Sequence, residues 1–168
     1  MEVLLQEKIK SRNELSKIRS ELAKSGKKVV FTNGCFDILH RGHVEYLYLA
    51  KQQGDILIVG VNDDNSVRRL KGKGRPLTPQ EDRLILLAAL SMVDYVCLFS
   101  EDTPLELIRA LQPDILIKGG DYQLDEIVGR EVVEKRGGKV LTIPFIKGRS
   151  TTGIIEKIIE LTKEGIWD

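Results

Sequence analysis

Five short and almost wholly apolar runs recur along this chain of 168 residues. They cover Lys28–Thr32, Ile56–Val61, Tyr95–Phe99, Ile115–Lys118 and Lys139–Ile143. Because these runs are apolar throughout rather than alternating, they are typical of parallel strands that are covered on both faces. Helix-like segments separate them, and strands that alternate with helices predict an α/β fold. We therefore expect a doubly wound, five-stranded parallel sheet with helices on both faces.

Start and stop signals place the helices between these strands. The helix after the first strand has apolar residues at 44, 47, 49 and 50 and is expected to end at Gly54. Two capping boxes predict helix starts, at Thr78-Pro79-Gln80-Glu81 for a helix through Met92 and at Thr103-Pro104-Leu105-Glu106. Ser150 and its two following threonines would cap a last helix that ends near Leu161. Residues 1–27 predict a helical extension before a single domain over residues 28–168.

The charge balance excludes a general attraction to polyanions. Lys and Arg number 26 against 25 Asp and Glu, a net charge of +1. Neither nucleic acid nor an anionic membrane is therefore an expected partner. A charged N-terminus, and no apolar run near the roughly 20 residues of a membrane span, predict a cytoplasmic protein. The two cysteines, Cys35 and Cys97, are too few for a disulfide framework and are interpreted as reduced and buried.

Both histidines of the chain lie where the first strand is expected to turn into a helix. Residues 32–43 read Thr-Asn-Gly-Cys-Phe-Asp-Ile-Leu-His-Arg-Gly-His. A helix N-terminus favours phosphate, and a histidine there can donate a hydrogen bond as charge builds on a phosphoryl oxygen. Gly34 allows a close backbone approach, and Gly42 keeps a side chain from between the two imidazoles. One histidine alone would more simply be a polar helix-start residue, but the pair His40 and His43 favours a phosphate site.

Further polar clusters follow other predicted strands. In an open α/β sheet the ligand lies outside the carboxyl ends of the strands, so clusters at those ends converge on one site. They are Asn62-Asp63-Asp64 after strand two, Lys118-Gly119-Gly120-Asp121-Tyr122 after strand four, and Arg149-Ser150-Thr151-Thr152 beyond strand five.

Each cluster has a simpler interpretation beside the functional one. Lys118 to Asp121 could lie against a base or ribose, or could form a turn with a solvated charge pair. Arg149 to Thr152 could hold β- and γ-phosphates at a helix N-terminus, or could be an N-cap alone. The basic loop from Lys71 to Arg75 could close over phosphates, although most such charge runs are merely solvated.

The segment around the histidines resembles the His-x-Gly-His signature of the cytidylyltransferase-like nucleotidyltransferases. Six residues match that signature position by position: Gly34, Phe36, Asp37, His40, Gly42 and His43. Looser matches extend over most of residues 28–160, at Asn62–Asp64, Leu70–Gly72, Arg75-Pro76, Arg83, Lys118–Tyr122 and Ser150–Thr152. They resemble the branch that adenylylates D-glycero-D-manno-heptose 1-phosphate. Arg149 stands where many members of the superfamily carry isoleucine.

The resemblance implies a Rossmann-like enzyme that transfers AMP from ATP to a sugar 1-phosphate and releases pyrophosphate. The product would be ADP-heptose, a precursor of the lipopolysaccharide core. The expected catalytic residues are His40, His43 and Lys71, of which the histidines stabilise the α-phosphate. The expected nucleotide-binding residues are Thr32, Asn33, Gly34, Phe36, Asp37, Gly42, Asp64, Arg83, Lys118, Gly119, Asp121, Tyr122, Ser150 and Thr151. No residue cluster predicts a metal site, so Mg²⁺ is expected to bind through the phosphates of ATP.

Two other functions stay open at this point. The first is a cytidylyltransferase for glycerol 3-phosphate or a similar alcohol phosphate, because the sequence does not fix ATP over CTP. The second is a regulatory domain that binds a nucleotide without turnover, which intact His40, His43 and Lys71 disfavour. The apolar stripe of the N-terminal helices could also serve a homodimer.

Overall fold

A computed structural model of the chain describes residues 5–120, 122–144 and 148–166. These residues contain a sheet of five parallel strands, ordered β3-β2-β1-β4-β5. The strands are β1 (Val29–Gly34), β2 (Ile56–Asn62), β3 (Tyr95–Phe99), β4 (Ile115–Gly119) and β5 (Lys139–Ile143). The predicted parallel sheet is confirmed, and the predicted strand ends differ from the observed ones by at most two residues.

Helices cover both faces of the sheet. They are α1 (Arg12–Lys24), α2 (Arg41–Lys51), α3 (Asp64–Lys71), α4 (Gln80–Ala88), α5 (Leu105–Leu111), α6 (Arg130–Glu134) and α7 (Thr151–Lys163), with a 3₁₀ turn at Leu124–Glu126. The strand residues alternate between two apolar layers: Val30 packs with Leu47 of α2 and Leu87 of α4, whereas Phe31 packs with Leu107 of α5 on the opposite face. Burial on both faces explains why the strands are apolar throughout.

The strand order reverses beside β1. The chain proceeds from β1 to β2 and β3 on one side and then crosses to β4 and β5 on the other. Val30 pairs with Ile115 and Phe31 with Leu116, so the same register places Asn33 of β1 beside Lys118 of β4. A crevice forms at such a reversal, outside the carboxyl ends of the strands. The fold therefore directs the polar segments after β1 and β4 to one place.

Two of the three predicted helix caps are wrong. Helix α4 begins with Pro79 rather than Thr78 at the N-cap and ends at Ala88, and helix α5 has Pro104 at its N-cap; neither has a side-chain cap. At α4 the cause is visible, since the backbone N–H of Thr78 donates to the Asp37 carboxylate at 2.9 Å. The Ser150 cap of α7 is confirmed, because its hydroxyl accepts from the Gly153 N–H at 3.0 Å.

The N-terminal segment packs against the rest of the chain. Helix α1 begins with a capping box at Ser11 and Glu14. Its Leu15 is fully buried, and Ile18 and Leu22 pack against the same apolar layer as α5. The apolar stripe that could have served a dimer is therefore used within the chain. No helix in the described parts of the chain is long and apolar enough to cross a membrane.

Candidate active site

A cavity of about 740 Å³ opens at the carboxyl ends of β1 and β4. Its volume is within the usual range for sites that bind small molecules. Most of the residues that the sequence predicts for the site line it: Asn33, Gly34, Phe36, Asp37, His40, Gly42, His43, Lys71, Lys118, Gly119, Tyr122, Ser150 and Thr151. The polar clusters after β1, β4 and β5 are thus brought together as the strand-end rule predicts.

The two imidazoles stack on each other at the start of α2. Their ring centroids are 3.9 Å apart, and the rings are inclined by 24°. His40 is the N-cap residue of the helix, with an extended backbone. Phe36 packs against His43 from the strand side, with ring centroids 5.3 Å apart. The stack is therefore held by the helix start on one side and by an aromatic ring on the other.

Two glycines leave room for these rings. A Cβ atom at Gly42 would lie 2.9 Å from Cε1 and 3.0 Å from Nδ1 of His40. A Cβ atom at Gly34 would lie 3.1 Å from the Phe36 ring. Phe36 and Ile38 have φ angles of 50° and 51°, a left-handed backbone that side chains rarely adopt. Such conformations persist where the surrounding structure holds them, often at functional sites.

Burial favours the neutral form of both histidines. Burial and the neighbouring His40 lower the pKa of His43 to about 4, and burial lowers the pKa of His40 as well. The Nδ1 atoms of both rings are buried and have no hydrogen-bond partner among the described residues. Both rings line the cavity, and a neutral imidazole carries one N–H, so each ring can donate one hydrogen bond to a ligand there.

Asp37 connects the histidine loop to the basic loop that follows α3. Its carboxylate accepts from Arg75 Nε at 2.5 Å and from the backbone N–H groups of Leu77 and Thr78. Although burial acts in the opposite direction, these hydrogen bonds hold the pKa of Asp37 below its ordinary value. The Asp37 carbonyl accepts from the Thr151 hydroxyl at 2.5 Å, which also joins the start of α7 to the site. Asp37 is thus buried and engaged by the protein on several sides.

Lys118 is a half-buried cation at the end of β4. Its Nζ donates to Asn33 Oδ1 at 2.5 Å. Burial lowers the pKa of Lys118 to about 8, against a smaller opposing contribution from the neighbouring Cys35. In the adjoining wall the Tyr46 hydroxyl shares a 2.6 Å hydrogen bond with Thr32 Oγ1.

Three predicted site residues do not line the cavity, and a fourth is outside the described residues. Arg83 is fully buried, and its guanidinium donates to the carbonyls of Thr78, Cys35 and Asn62 and to the Asp64 carboxylate. Thr32 is buried with its hydroxyl on Tyr46. Asp121 lies outside the described residues. The expectation that Arg83 contacts phosphate is therefore corrected: the residue joins the ends of β1 and β2 to the loop before α4.

Several cavity residues were missed by the sequence analysis. Asp102, Thr103 and Pro104 follow β3, so the strand-end rule could have found them, but Thr103 and Pro104 were interpreted as a helix cap alone. Glu126, Ile127 and Val128 approach from the segment after β4, and no sequence pattern marks them. Tyr46 is one turn beyond His43 on α2 and could have been found from helical periodicity.

The described residues favour neither a cysteine nucleophile nor a metal ion held by side chains. Cys97 is buried as predicted, whereas Cys35 is half-buried and lines the cavity. Burial raises the pKa of the Cys35 thiol, which disfavours the thiolate. Within the described ranges no three His, Cys, Asp or Glu residues are grouped to hold a metal ion.

The chain matches the model of the cytidylyltransferase-like family over residues 31–157. It is also similar to curated proteins named bifunctional protein HldE. The sequence from Trichlorobacter lovleyi is 59% identical over 153 residues, which is 91% of this chain and 31% of that protein. The sequence from Geobacter sulfurreducens is 57% identical over the same shares of the two chains. The chain thus spans about a third of the length of these relatives.

Two solved structures share the fold. The lipopolysaccharide core biosynthesis protein from Thermoplasma volcanium is 33% identical with a TM-score of 0.60, and the match covers 74% of this chain and 100% of that chain. A pantoate-β-alanine ligase from Francisella tularensis, solved with an ATP compound and β-alanine, is 20% identical with a TM-score of 0.61. That match covers 92% of this chain and 78% of the ligase, and at this identity it supports the fold alone.

Proposed function

Because the chain belongs to the cytidylyltransferase-like family, we propose that it transfers AMP from ATP to D-glycero-β-D-manno-heptose 1-phosphate. The products are ADP-heptose and pyrophosphate. The observation that carries the proposal is the stacked, neutral pair His40 and His43 at a helix start beside the strand reversal. Two neutral imidazoles in the cavity wall can each donate a hydrogen bond to a phosphoryl group on which negative charge develops.

The reaction needs no covalent intermediate with the protein. An oxygen of the sugar 1-phosphate attacks the α-phosphorus of ATP and forms the new P–O bond. The bond from the α-phosphorus to the bridging oxygen breaks, and pyrophosphate leaves with that electron pair. Since the attacking oxygen is already ionised, the protein has mainly to align the reactants and to stabilise charge.

The position of each cavity residue indicates which phosphate of ATP it would contact. His40 and His43 donate to oxygens of the α-phosphate as the bond order changes. Lys71, at the end of α3, is exposed and lies in the cavity wall, so it can approach the triphosphate as its glycine-containing loop orders. The N-terminus of α7, with Ser150 and Thr151, offers backbone N–H groups to the terminal phosphates.

Magnesium fits this site as a companion of ATP rather than as a resident ion. The Asp37 carboxylate is already engaged by Arg75 and two backbone N–H groups. When bound, Mg²⁺ would neutralise charge on the phosphates, to which it usually binds while keeping several waters. We assign no protein ligand to it.

The choice of a heptose phosphate rests on the family branch that the loops resemble and on a relative's name. The Thermoplasma volcanium protein is described as acting in lipopolysaccharide core biosynthesis, where an ADP-heptose would be used. As part of this proposal, we expect the reaction to run in the cytoplasm, where ATP is available.

Pyrophosphate release tests the proposal when the four nucleoside triphosphates are combined with heptose 1-phosphate, other sugar 1-phosphates and glycerol 3-phosphate. We expect ATP with heptose 1-phosphate to be turned over far faster than any other pair. A double variant, His40→Ala with His43→Ala, is the matched control and should lose the activity while still folded.

Two outcomes would replace the proposed function. A strong preference for CTP with glycerol 3-phosphate would make the chain a cytidylyltransferase for a short alcohol phosphate. Tight nucleotide binding without pyrophosphate release from any pair would make it a binding domain, despite its histidines.

A further inference from the structure

Strand β4 lies between the strands that lead to the histidine loop and to the start of α7, and it ends beside the cation Lys118. In the order β1-β4-β5, strand β1 leads to His40 and His43 and strand β5 leads towards the start of α7. These two segments touch, because a Cβ atom at Gly42 would lie 3.3 Å from Cβ of Arg149. Because β4 lies between β1 and β5, Lys118 at its end lines the same cavity as the histidines and the α7 N-terminus, where it can meet a triphosphate bound between them.

Lys118 has only a neutral partner in the described chain. Its hydrogen bond is to the amide oxygen of Asn33, the neighbour that the β1–β4 register provides. Arg75, by contrast, is held by the Asp37 carboxylate at 2.5 Å. A half-buried ammonium with an amide as partner is poorly compensated, and phosphate oxygens would compensate it better.

We propose that Lys118 binds the triphosphate directly, exchanging its contact with Asn33 for phosphate oxygens. This assignment rests on the proposed function and changes one of its details. The sequence placed Lys118 near the base or ribose, whereas the strand order places it below the phosphates. Lys118 then supplies a fixed positive charge at the same site as two neutral histidines.

Binding should be accompanied by proton uptake. The pKa of Lys118 is lowered to about 8, chiefly by burial, so part of the empty sites lacks this proton at pH 8. Phosphate contact favours the ammonium and raises that pKa. The other titratable or charged groups that line the cavity are Cys35, Asp37, His40, His43, Tyr46, Lys71, Arg75, Asp102, Tyr122, Glu126 and Arg149. At pH 8 the phosphates of ATP are ionised, and the pKa of His43 is far below this pH, so neither is the expected source of uptake.

Calorimetric titration of ATP into the protein at pH 8, without acceptor, tests the assignment in two buffers of different ionisation enthalpy. The wild type should take up a measurable fraction of a proton per ATP bound. Lys118→Arg should keep most of the affinity but take up no proton, because arginine stays charged. Lys118→Met should lose about 10- to 100-fold in affinity for ATP. It should also take up no proton on binding. Lys24→Ala removes an exposed lysine of α1 that does not line the cavity and should alter neither quantity.

The outcomes separate this assignment from the proposed function. Unchanged affinity and uptake in Lys118→Met, in a wild type that releases pyrophosphate from ATP, would overturn the role of Lys118 alone. Uptake that persists in Lys118→Arg would also overturn it. A wild type that turns over CTP but not ATP would instead overturn the proposed function, and the same titration with CTP would then decide whether Lys118 binds phosphate.

Discussion

The cavity has a half-buried floor and an exposed rim, and the two are built differently. The floor consists of Asn33, His40, His43 and Lys118, which lie at the ends of β1 and β4 and at the start of α2. The rim consists of Lys71, Tyr122 and Arg149, which are exposed and lie on loops or at helix ends. Floor side chains contact one another, at 3.9 Å between the imidazole centroids and 2.5 Å from Lys118 to Asn33.

This difference indicates which residues can stabilise a transition state. A donor that is already in place costs no reorganisation during the reaction, and its electrostatic effect is larger where water is excluded. An exposed side chain must be ordered by the substrate, and part of its interaction energy is used in that ordering. We therefore expect the floor histidines to have the largest effect on the rate. Tyr122 and Arg149 of the rim should mainly capture substrate, whereas Lys71 can also act on the rate once its loop is ordered over the triphosphate.

The largest effect should come from removal of a floor histidine. His40→Ala or His43→Ala removes one donor to the α-phosphate and should lower the turnover number by about 100- to 1000-fold, or roughly 3 to 4 kcal/mol. Turnover is measured as pyrophosphate release, with circular dichroism to show that the variants fold. Asparagine at His43 keeps a donor and should be the milder change. Normal turnover in both alanine variants would mean that the histidines have no role in the reaction and are only polar residues at a helix start. Loss of turnover through unfolding alone would mean the same.

The second effect concerns stability and pH. His43 has a pKa of about 4 in the folded chain against 6.5 for a free histidine. Between these values the unfolded chain binds a proton that the folded chain does not, so stability is lost as the pH falls from 7 to 4. The contribution is about 2 to 3 kcal/mol. Urea unfolding across this range should show a shallower pH dependence for His43→Asn than for the wild type. Parallel curves would mean that His43 is not buried as described.

The third effect compares Gly42, which lies beside the floor histidines, with Gly74, an exposed glycine of the basic loop. Gly42→Ala would place a methyl group 2.9 Å from the His40 ring, which must then move. We expect a loss of about 10- to 100-fold in turnover, because small misplacements of reacting groups are costly. Gly74→Ala is the control, since a Cβ atom there meets nothing within 4 Å. Equal effects of the two substitutions would show that the imidazole stack does not depend on Gly42.

The smallest effect should come from the basic loop. Lys71→Ala should lower turnover by about tenfold and weaken ATP binding by less, because the loop contacts the triphosphate best in the transition state. Lys24→Ala, which removes an exposed lysine of α1 away from the cavity, is the control and should leave both quantities unchanged. Unchanged kinetics in Lys71→Ala would remove that residue from the site.

The sequence predicts the sheet and the floor better than the details around them. Burial on two faces makes the strands apolar, and a parallel sheet brings its strand ends together, so the histidines and Lys118 could be placed in one cavity. The cap at Thr78 was wrong because Asp37, distant in sequence, takes its backbone N–H. Such a contact depends on tertiary structure and leaves no local pattern.

Arg83 illustrates a signal that was present but not used. The buried face of α4 is formed by Leu84, Leu87 and Ala88, and Arg83 lies on that face. Its helical position therefore favours a buried partner over a phosphate. The residues at 126–128 had no such signal, because the path of the segment after β4 depends on how the chain returns to β5.

One assay tests the contrast between floor and rim most directly: kcat and KM for ATP in His43→Ala and Arg149→Ala, measured together by pyrophosphate release. We expect His43→Ala to lose about 100- to 1000-fold in kcat with a nearly unchanged KM. We expect Arg149→Ala to raise KM and to keep most of kcat. A rise in KM without loss of kcat in His43→Ala would contradict the contrast, because the floor would then bind the nucleotide without acting on the reaction.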